Sequence, residues 1–384
     1  MAATAVSSIS SQAPALGQDK PSFWLRNKRW DMIFIILSVL VVPLPYVFYV
    51  IGMDVFGLES DVSRNVVNGF VAIAVGGPHM MSTLLRTGLD GGFKRRYPML
   101  IRSSLIIPVI VIALAFLNLT LLLTIFFFWA MLHVLHQVTY IVELYNHKEH
   151  AIVKNGQSAV SPMARGLDYA VVLTCLFPMA AFKIAAGAFK VGQNDLTQSI
   201  PAFFQQSWLF YAAAAVFFVA AALWIIKTIR EVQSGIVNWP KTIFIGLSVI
   251  VFFPLAAFPN LDTAFQGANM WHSFQYLAIT FYIIKIRQQY GDLKQSAPLV
   301  SRFSNRKDSW GLFALSTMML VGSLIVFVVV YVATQLIYPG IDSNKHFDTA
   351  YYTAILSFLW IHYYHDHFLF TNFEALDEAF KPSA

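Results

Sequence analysis

The side chains of this sequence that can do chemistry are histidines set inside apolar segments. Near the C-terminus, "FLWIHYYHDHFLF" places His362, His365 and Asp366 within an oily run, and "GGPHMMST", "MLHVLHQVTY" and "NMWHSFQYL" do the same earlier in the chain. Ionisable groups inside apolar segments are costly in lipid and are typical of functional sites. The histidines placed in this way are His79, His133, His136, His272, His362 and His365.

These histidines predict a metal site, because neutral imidazole is the most common side-chain ligand for metals. An imidazole cluster with open coordination positions suits iron, copper or zinc. His133 and His136 are three residues apart, as are His362 and His365, so a helix directs both members of each pair to one side. Neighbouring polar groups can orient the ligand rings. The candidates for that role are Asp366, Gln275, Tyr276, Glu143 and Tyr363.

The elements that position these residues are predicted to be membrane-spanning helices. Of the 384 residues, 57% are hydrophobic and 12% are charged, against about 25% charged in soluble domains. The fold class predicted is all-α, a polytopic transmembrane bundle of about ten spans. Those spans are 31–51, 66–86, 103–119, 121–145, 167–188, 207–228, 241–258, 263–286, 311–338 and 348–371.

Composition also excludes several kinds of site. The single cysteine, Cys175, excludes a disulfide within the chain and a cysteine-based metal site. The formal charge of +6 is explained by cytoplasmic loops, so no nucleic-acid partner is predicted. Residues 1–22 are predicted to be a disordered cytoplasmic tail, 23–375 a single transmembrane domain, and 376–384 a second cytoplasmic tail.

The distribution of basic residues predicts the direction of each helix. Lys and Arg concentrate before the first span and after every even-numbered one, whereas loops such as "DVFGLESDVSRN" and "GIDSNKHFD" are neutral or acidic. Both termini are therefore predicted to be cytoplasmic, in a bacterial inner membrane. The histidine-bearing helices are the even-numbered ones, and they all run from outside to inside. At ~1.5 Å per residue their histidines fall in one layer near the bilayer midplane.

"GGPHMMST" on an early helix, paired histidines on a mid-chain helix and further histidines late in the chain resemble the bacterial Brp/Blh-type carotene dioxygenases. The first motif of that family is Pro-His-Gly, followed by a nearby aspartate. Here Pro78 and His79 match, Met80 replaces the glycine, and the next aspartate is Asp90. The resemblance implies a membrane-embedded non-haem iron oxygenase with Fe(2+) held by histidines, using O2 to cleave a carotenoid or another lipophilic substrate. It makes His79 a ligand by motif.

Other functions remain open at this stage. A di-iron lipid desaturase or hydroxylase would use boxes such as "HVLH", "HKEH" and "HYYHDH", although the chain lacks the His-His pairs typical of that class. A b-type cytochrome would need one axial histidine from each of two helices. A transporter with a His/Asp proton path and a purely structural set of histidines are further alternatives.

Overall fold

The computed structural model describes residues 22–153, 159–192, 194–305 and 307–371. These residues are almost entirely helical, and the short hairpin of Lys190–Val191 and Asn194–Asp195 is the only sheet within them. The predicted N-terminal tail, apart from residue 22, and the predicted tail over 376–384 lie outside the described residues.

Ten long helical segments follow one another along the described residues. They are α1 (Lys28–Asp54), α2 (Ser60–Val71, Ala72–Gly76 and Gly77–Arg86), α3 (Pro98–Leu117), α4 (Leu119–Ile152), α5 (Pro162–Ala185), α6 (Ser207–Gln233), α7 (Trp239–Ala257), α8 (Leu261–Tyr290), α9 (Trp310–Ile337) and α10 (Ser343–Thr371). Short helices occupy the connections, at Gly91–Arg96, Leu196–Ser199, Ala202–Gln205, Leu293–Ser296 and Pro298–Ser304.

Seven of these helices are long and apolar enough to cross a membrane, and the three that are not are α2, α8 and α10. The chain is therefore a helical integral membrane protein, as its composition predicted. Large apolar side chains cover the outer surface of α6 and α9, among them Phe218 and Val321, which are 59% and 60% exposed. Such a surface is stable only against lipid or another apolar partner.

Local polar groups set where the helices begin. The side chains of Asn118, Asn238 and Asn260 accept backbone N–H groups at the starts of α4, α7 and α8. These caps satisfy donors that have no partner within the helix. Asn118, with φ −160 and ψ 83, also separates α3 from α4, so the two predicted spans at this point are distinct helices.

Buried charge fixes the relative direction of α2, α8 and α10. Arg64, in the first turns of α2, is 1% exposed. Its guanidinium lies 3.1 Å from Asp348 of α10 and 3.9 Å from Asp262 of α8. Because all three residues lie near the starts of their helices, these helices run parallel. At their other end, Arg287 of α8 pairs with Asp90 just after α2, at 2.7 Å.

Candidate metal centre

Four histidines from four different helices meet inside the bundle. One nitrogen from each ring lies within 4.8 Å of the corresponding nitrogen of the others. The four residues are His79 of α2, His133 of α4, His272 of α8 and His362 of α10, and all are buried. Nitrogen ligands bound at ~2.1 Å to one ion are separated by at most about 4.2 Å, so small side-chain adjustments would bring the four atoms around one ion.

The rings lie edge to face rather than stacked. The ring centroids of His79 and His362 are 4.1 Å apart at 75°, and those of His79 and His272 are 4.6 Å apart at 81°. His133 lies 4.9 Å from His272 and 5.1 Å from His362. Rings turned in this way direct their nitrogen atoms toward a shared space, as ligands of one ion do.

The nitrogen atoms that face this space lack partners among the described residues. Both ring nitrogens of His79 and of His272, and the Nε2 atoms of His133 and His362, are buried without a hydrogen bond to any described residue. A buried polar atom left without a partner costs about 1–3 kcal/mol. A bound ion would satisfy one nitrogen of each ring, so the donor set fits a transition metal.

Thr83, one turn after His79 on α2, fixes the orientation of His362. Its Oγ1 lies 2.6 Å from His362 Nδ1 and 2.8 Å from Asp366 Oδ1. Tyr276 donates to the same Oδ1 at 2.5 Å. Since an ionised Asp366 needs both hydroxyls to donate, Thr83 has only its lone pairs left for His362. Nδ1 of His362 must then donate, which leaves Nε2 as a lone pair directed at the centre.

Asp366 also faces the centre. Its Oδ2 atom has no hydrogen-bond partner among the described residues and lies 3.5 Å from His362 Nε2 and 3.8 Å from His133 Nε2. A carboxylate oxygen facing an imidazole lone pair in a buried space repels it unless a cation stands near both. Asp366 is thus placed to contribute negative charge to the centre, and it is connected to His362 Nδ1 through the Thr83 hydroxyl.

The other predicted orienting residues act in different ways. The Tyr363 ring stacks on that of His133 at 4.0 Å. Gln275 has no hydrogen bond to a histidine ring among the described residues. It donates to the Ile35 carbonyl at 2.6 Å, next to the point where α1 changes from a π-helical to a 3-10 helical turn. Glu143 lies away from the four histidines and pairs with Arg165 at 2.7 Å.

His136 and His365, predicted as ligands, are not part of the four-histidine group. The His136 ring faces that of His367 at 5.3 Å. His365 Nδ1 lies 3.0 Å from Thr87 Oγ1, which itself donates to the Thr83 carbonyl. His365 therefore belongs to the layer next to the centre, toward the basic end of α2.

Local helix geometry also helps to aim His79. The stretch Ala72–Gly76 has the wide π-helical turn, and it ends two residues before Pro78, which has no N–H to donate. Wide turns of this kind frequently mark functional sites, since the extra residue rotates the side chains that follow. Thr83 and Thr87 were not predicted from the sequence, although they follow His79 by four and eight residues, a spacing that places all three on the same face of the helix.

Comparisons with models of protein families, with curated proteins and with solved structures find no significant match.

Proposed function

We propose that this chain is an integral membrane oxygenase whose four histidines hold one non-haem iron and whose substrate is a lipophilic molecule, a carotenoid, another polyene or another lipid. The observation that supports the proposal is the convergence of four buried imidazoles, with unpartnered nitrogens, within 4.8 Å. Fe(2+) held by neutral imidazoles keeps positions open for exchangeable ligands and supplies redox chemistry with O2.

The chain's own residues hold and tune this centre. The imidazoles of His79, His133, His272 and His362 supply four neutral donors. Thr83 and Tyr276 hold Asp366, and Thr83 holds His362 in the tautomer that directs Nε2 inward. The Asp366 carboxylate offsets part of the charge of a divalent ion. Burial of all these groups excludes water and strengthens each electrostatic contact.

We propose that all ten long helices span the membrane, including α2, α8 and α10. These three carry the histidines, Asp366 and the buried Arg64 network, and such residues lower mean hydropathy without making a helix soluble. They run parallel inside the bundle, where polar groups face each other rather than lipid. Ten spans place both termini on one side, and the positive-inside rule makes that side cytoplasmic.

Two alternative centres have less support. A di-iron site needs a second set of ligands, and within the described residues the four histidines form the only such group. A b-type haem needs its flat macrocycle between two axial histidines. Here two additional imidazoles lie within 4.8 Å of any such pair, in the space that the macrocycle would fill.

The test is metal analysis of the purified chain together with its visible spectrum. We expect about one iron per chain without a Soret band, and loss of that iron in His79→Ala and His362→Ala. His150→Ala, at an exposed position on α4, is the matched control and should keep the metal. His136→Ala and His365→Ala should keep it as well.

A chain without bound metal, or with a haem spectrum, would contradict the proposal. If iron is present, incorporation of isotopically labelled O2 into lipids of the producing membrane tests the oxygenase step. Label found in a lipid product that is absent from His79→Ala membranes supports an oxygenase. Iron without any labelled product would restrict the chain to metal binding or electron transfer.

A further inference from the structure

A cavity lies about one helical turn from the four-histidine centre, and none of the four histidines lines it. Its inner end is formed by Gly76, Asn269 and Leu359. Each of these residues precedes one of the histidines by three positions, namely His79, His272 and His362. The inner end of the cavity therefore lies one helical turn from the candidate metal position.

The cavity is long and narrow. On α8 its wall runs from Asp262 to Asn269, and on α10 from Tyr351 to Leu359. At ~1.5 Å per residue these walls extend over about 10–12 Å along the helix axes. Its volume of 40 Å³ holds about three waters, so a bulky ring system is excluded and an occupant that extends along these walls must be thin and must spread them slightly. We call this cavity the slot.

The two sides of the slot differ in polarity. The α8 side is lined by Asp262, Gln266 and Asn269 together with Phe265. The α10 side is apolar at Ile355, Leu356 and Leu359 and carries Tyr351 and Tyr352 at its outer end. Amides and carboxylates in a membrane interior are costly and are usually retained for a ligand or an ion. The occupant should therefore be amphiphilic, with an apolar chain and a hydrogen-bonding group.

The outer end of the slot is lined by a carboxylate, that of Asp262. Asp262 accepts hydrogen bonds from Asn68 at 2.9 Å and from Tyr352 at 3.2 Å, and it shares Arg64 with Asp348. One buried guanidinium thus faces two buried carboxylates. An anionic head group at this end would add to the repulsion, whereas an uncharged donor or a cation would not.

The slot is accessible from the side of the bundle. Ala72, Asn269, Tyr351 and Ile355 are partly exposed although they lie within long helices. The surface of α2 next to them is apolar, with Ile73 64% exposed and Phe70 46% exposed. In a membrane these positions face lipid, so a lipid can enter laterally between α2 and α10.

We propose that the slot binds a single-chain lipid with an uncharged or cationic hydrogen-bonding head group, such as a medium-chain alcohol or amine whose extended length matches the about 10–12 Å of the slot. The head group lies near Asp262 and the far end of the chain lies against Gly76, Asn269 and Leu359, beside the four histidines. If the chain is the proposed oxygenase, this lipid is its substrate class, and that part of the assignment rests on the proposed function. Binding of the lipid to the slot does not depend on the oxygenase reaction and can be measured separately.

Photolabelling tests the proposal. The probe is a medium-chain alcohol with a diazirine at the end of its alkyl chain, crosslinked to the full protein in lipid nanodiscs and mapped by mass spectrometry. We expect labelled peptides from α8 and α10 around Asn269 and Leu359, suppressed by excess unlabelled alcohol. The corresponding carboxylic acid should label these peptides several-fold less. Equal labelling by the acid would overturn the head-group assignment.

Gly76→Val is the blocking variant. A Cβ at Gly76 would lie 3.9 Å from Asn269 Nδ2 and 3.4 Å from the Val71 carbonyl, so the helix accommodates the side chain while the slot is filled. Gly69→Val on the same helix is the control, because a Cβ there meets nothing within 4 Å. We expect Gly76→Val to lose the specific labelling and keep its iron, and Gly69→Val to keep both.

Labelling that persists in Gly76→Val, or that spreads evenly over the lipid-facing helices, would refute the slot as a binding site. If Gly76→Val loses iron as well, Ala72→Phe, at the lipid-facing opening of the slot, replaces it. Its photolabelling and iron content are measured in the same way, with loss of labelling and retention of iron expected. A wild-type chain that is labelled at the slot but holds no iron would uphold lipid binding and refute the oxygenase. Iron without labelling at the slot would refute lipid binding there and leave the metal centre standing.

Discussion

Thr83 connects three functional groups of the site through one hydroxyl. Its hydroxyl contacts His362, Asp366 and Tyr276 at 2.6, 2.8 and 2.9 Å. A partner on the far nitrogen of a ligating histidine fixes both ring orientation and tautomer. A threonine on a helix rarely indicates such a role from sequence, because its contacts come from residues on two other helices.

Replacing Thr83 by valine should weaken metal binding while preserving the shape of the side chain. Without the hydroxyl, His362 Nδ1 has no acceptor and Asp366 loses one donor, so the ring is free to turn. We expect iron affinity to fall about 10- to 100-fold, the usual cost of removing such an orienting partner. The measurement is retained iron during competition with a chelator, at equal amounts of folded chain.

Two variants make this experiment specific. Thr280→Val removes another buried hydroxyl, one without a hydrogen-bond partner among the described residues, and it should leave iron affinity unchanged. Thr83→Ser restores the hydroxyl and should recover most of the affinity. Equal iron retention in Thr83→Val and wild type would show that Thr83 does not orient His362.

Sequence reasoning placed the histidines in one layer but chose too many of them for one group. Helical rotation of 100° per residue leaves an i, i+3 pair about 60° apart around the axis. One member of each pair, His133 or His362, reaches the shared space. His136 instead faces His367, and His365 faces Thr87. Which member turns inward depends on the rotation of the whole helix, and packing sets that rotation.

At the scale of the helix, the sequence located most spans and misjudged the start of α2. The segment "DVSRN" was read as a polar outer loop, so the span was predicted to begin at residue 66. The helix begins at Ser60, since Arg64 is buried and neutralised by Asp262 and Asp348. Those carboxylates come from helices far away in sequence, and no local pattern reveals them.

Glycine permits the closest helix approach near the centre. A Cβ at Gly267 of α8 would lie 1.9 Å from the Val42 carbonyl oxygen of α1. Helices in lipid associate through close packing of small residues, because lipid provides little hydrophobic drive between them. Gly267 precedes His272 by five residues, so this contact also sets the height of that ring.

Gly267→Ala should therefore separate α8 from α1. We expect the free energy of unfolding to fall by about 1–3 kcal/mol, the typical cost of overpacking, together with partial loss of iron as His272 shifts. The measurements are denaturant unfolding in detergent and metal content. Gly69→Ala, which meets open space, should be neutral or slightly stabilising in both. If Gly267→Ala changes neither the free energy of unfolding nor the iron content, then α1 moves away at this contact without an energetic cost.

At the scale of the whole molecule, the proposal of ten spans has a consequence for sidedness. Seven helices are long enough and apolar enough to cross a membrane, and α2, α8 and α10 are not apolar enough by the same criterion. If only those seven crossed, the chain would end on the side opposite to its start. If all ten cross, start and end share a side, and the four histidines lie within the bilayer rather than at its surface.

Labelling of single cysteines with a membrane-impermeant maleimide separates these topologies. Cys175, the only native cysteine, is 1% exposed, so the wild-type chain supplies an unlabelled background. The positions are Lys28→Cys at the start of α1, Ser343→Cys at the start of α10 and Thr371→Cys at the end of α10, all exposed. With ten spans, Lys28→Cys and Thr371→Cys react from one side and Ser343→Cys from the other. With seven, Thr371→Cys reacts together with Ser343→Cys. That second result would place α10, and with it His362 and Asp366, outside the bilayer, and a lipid could then no longer reach the slot from the side.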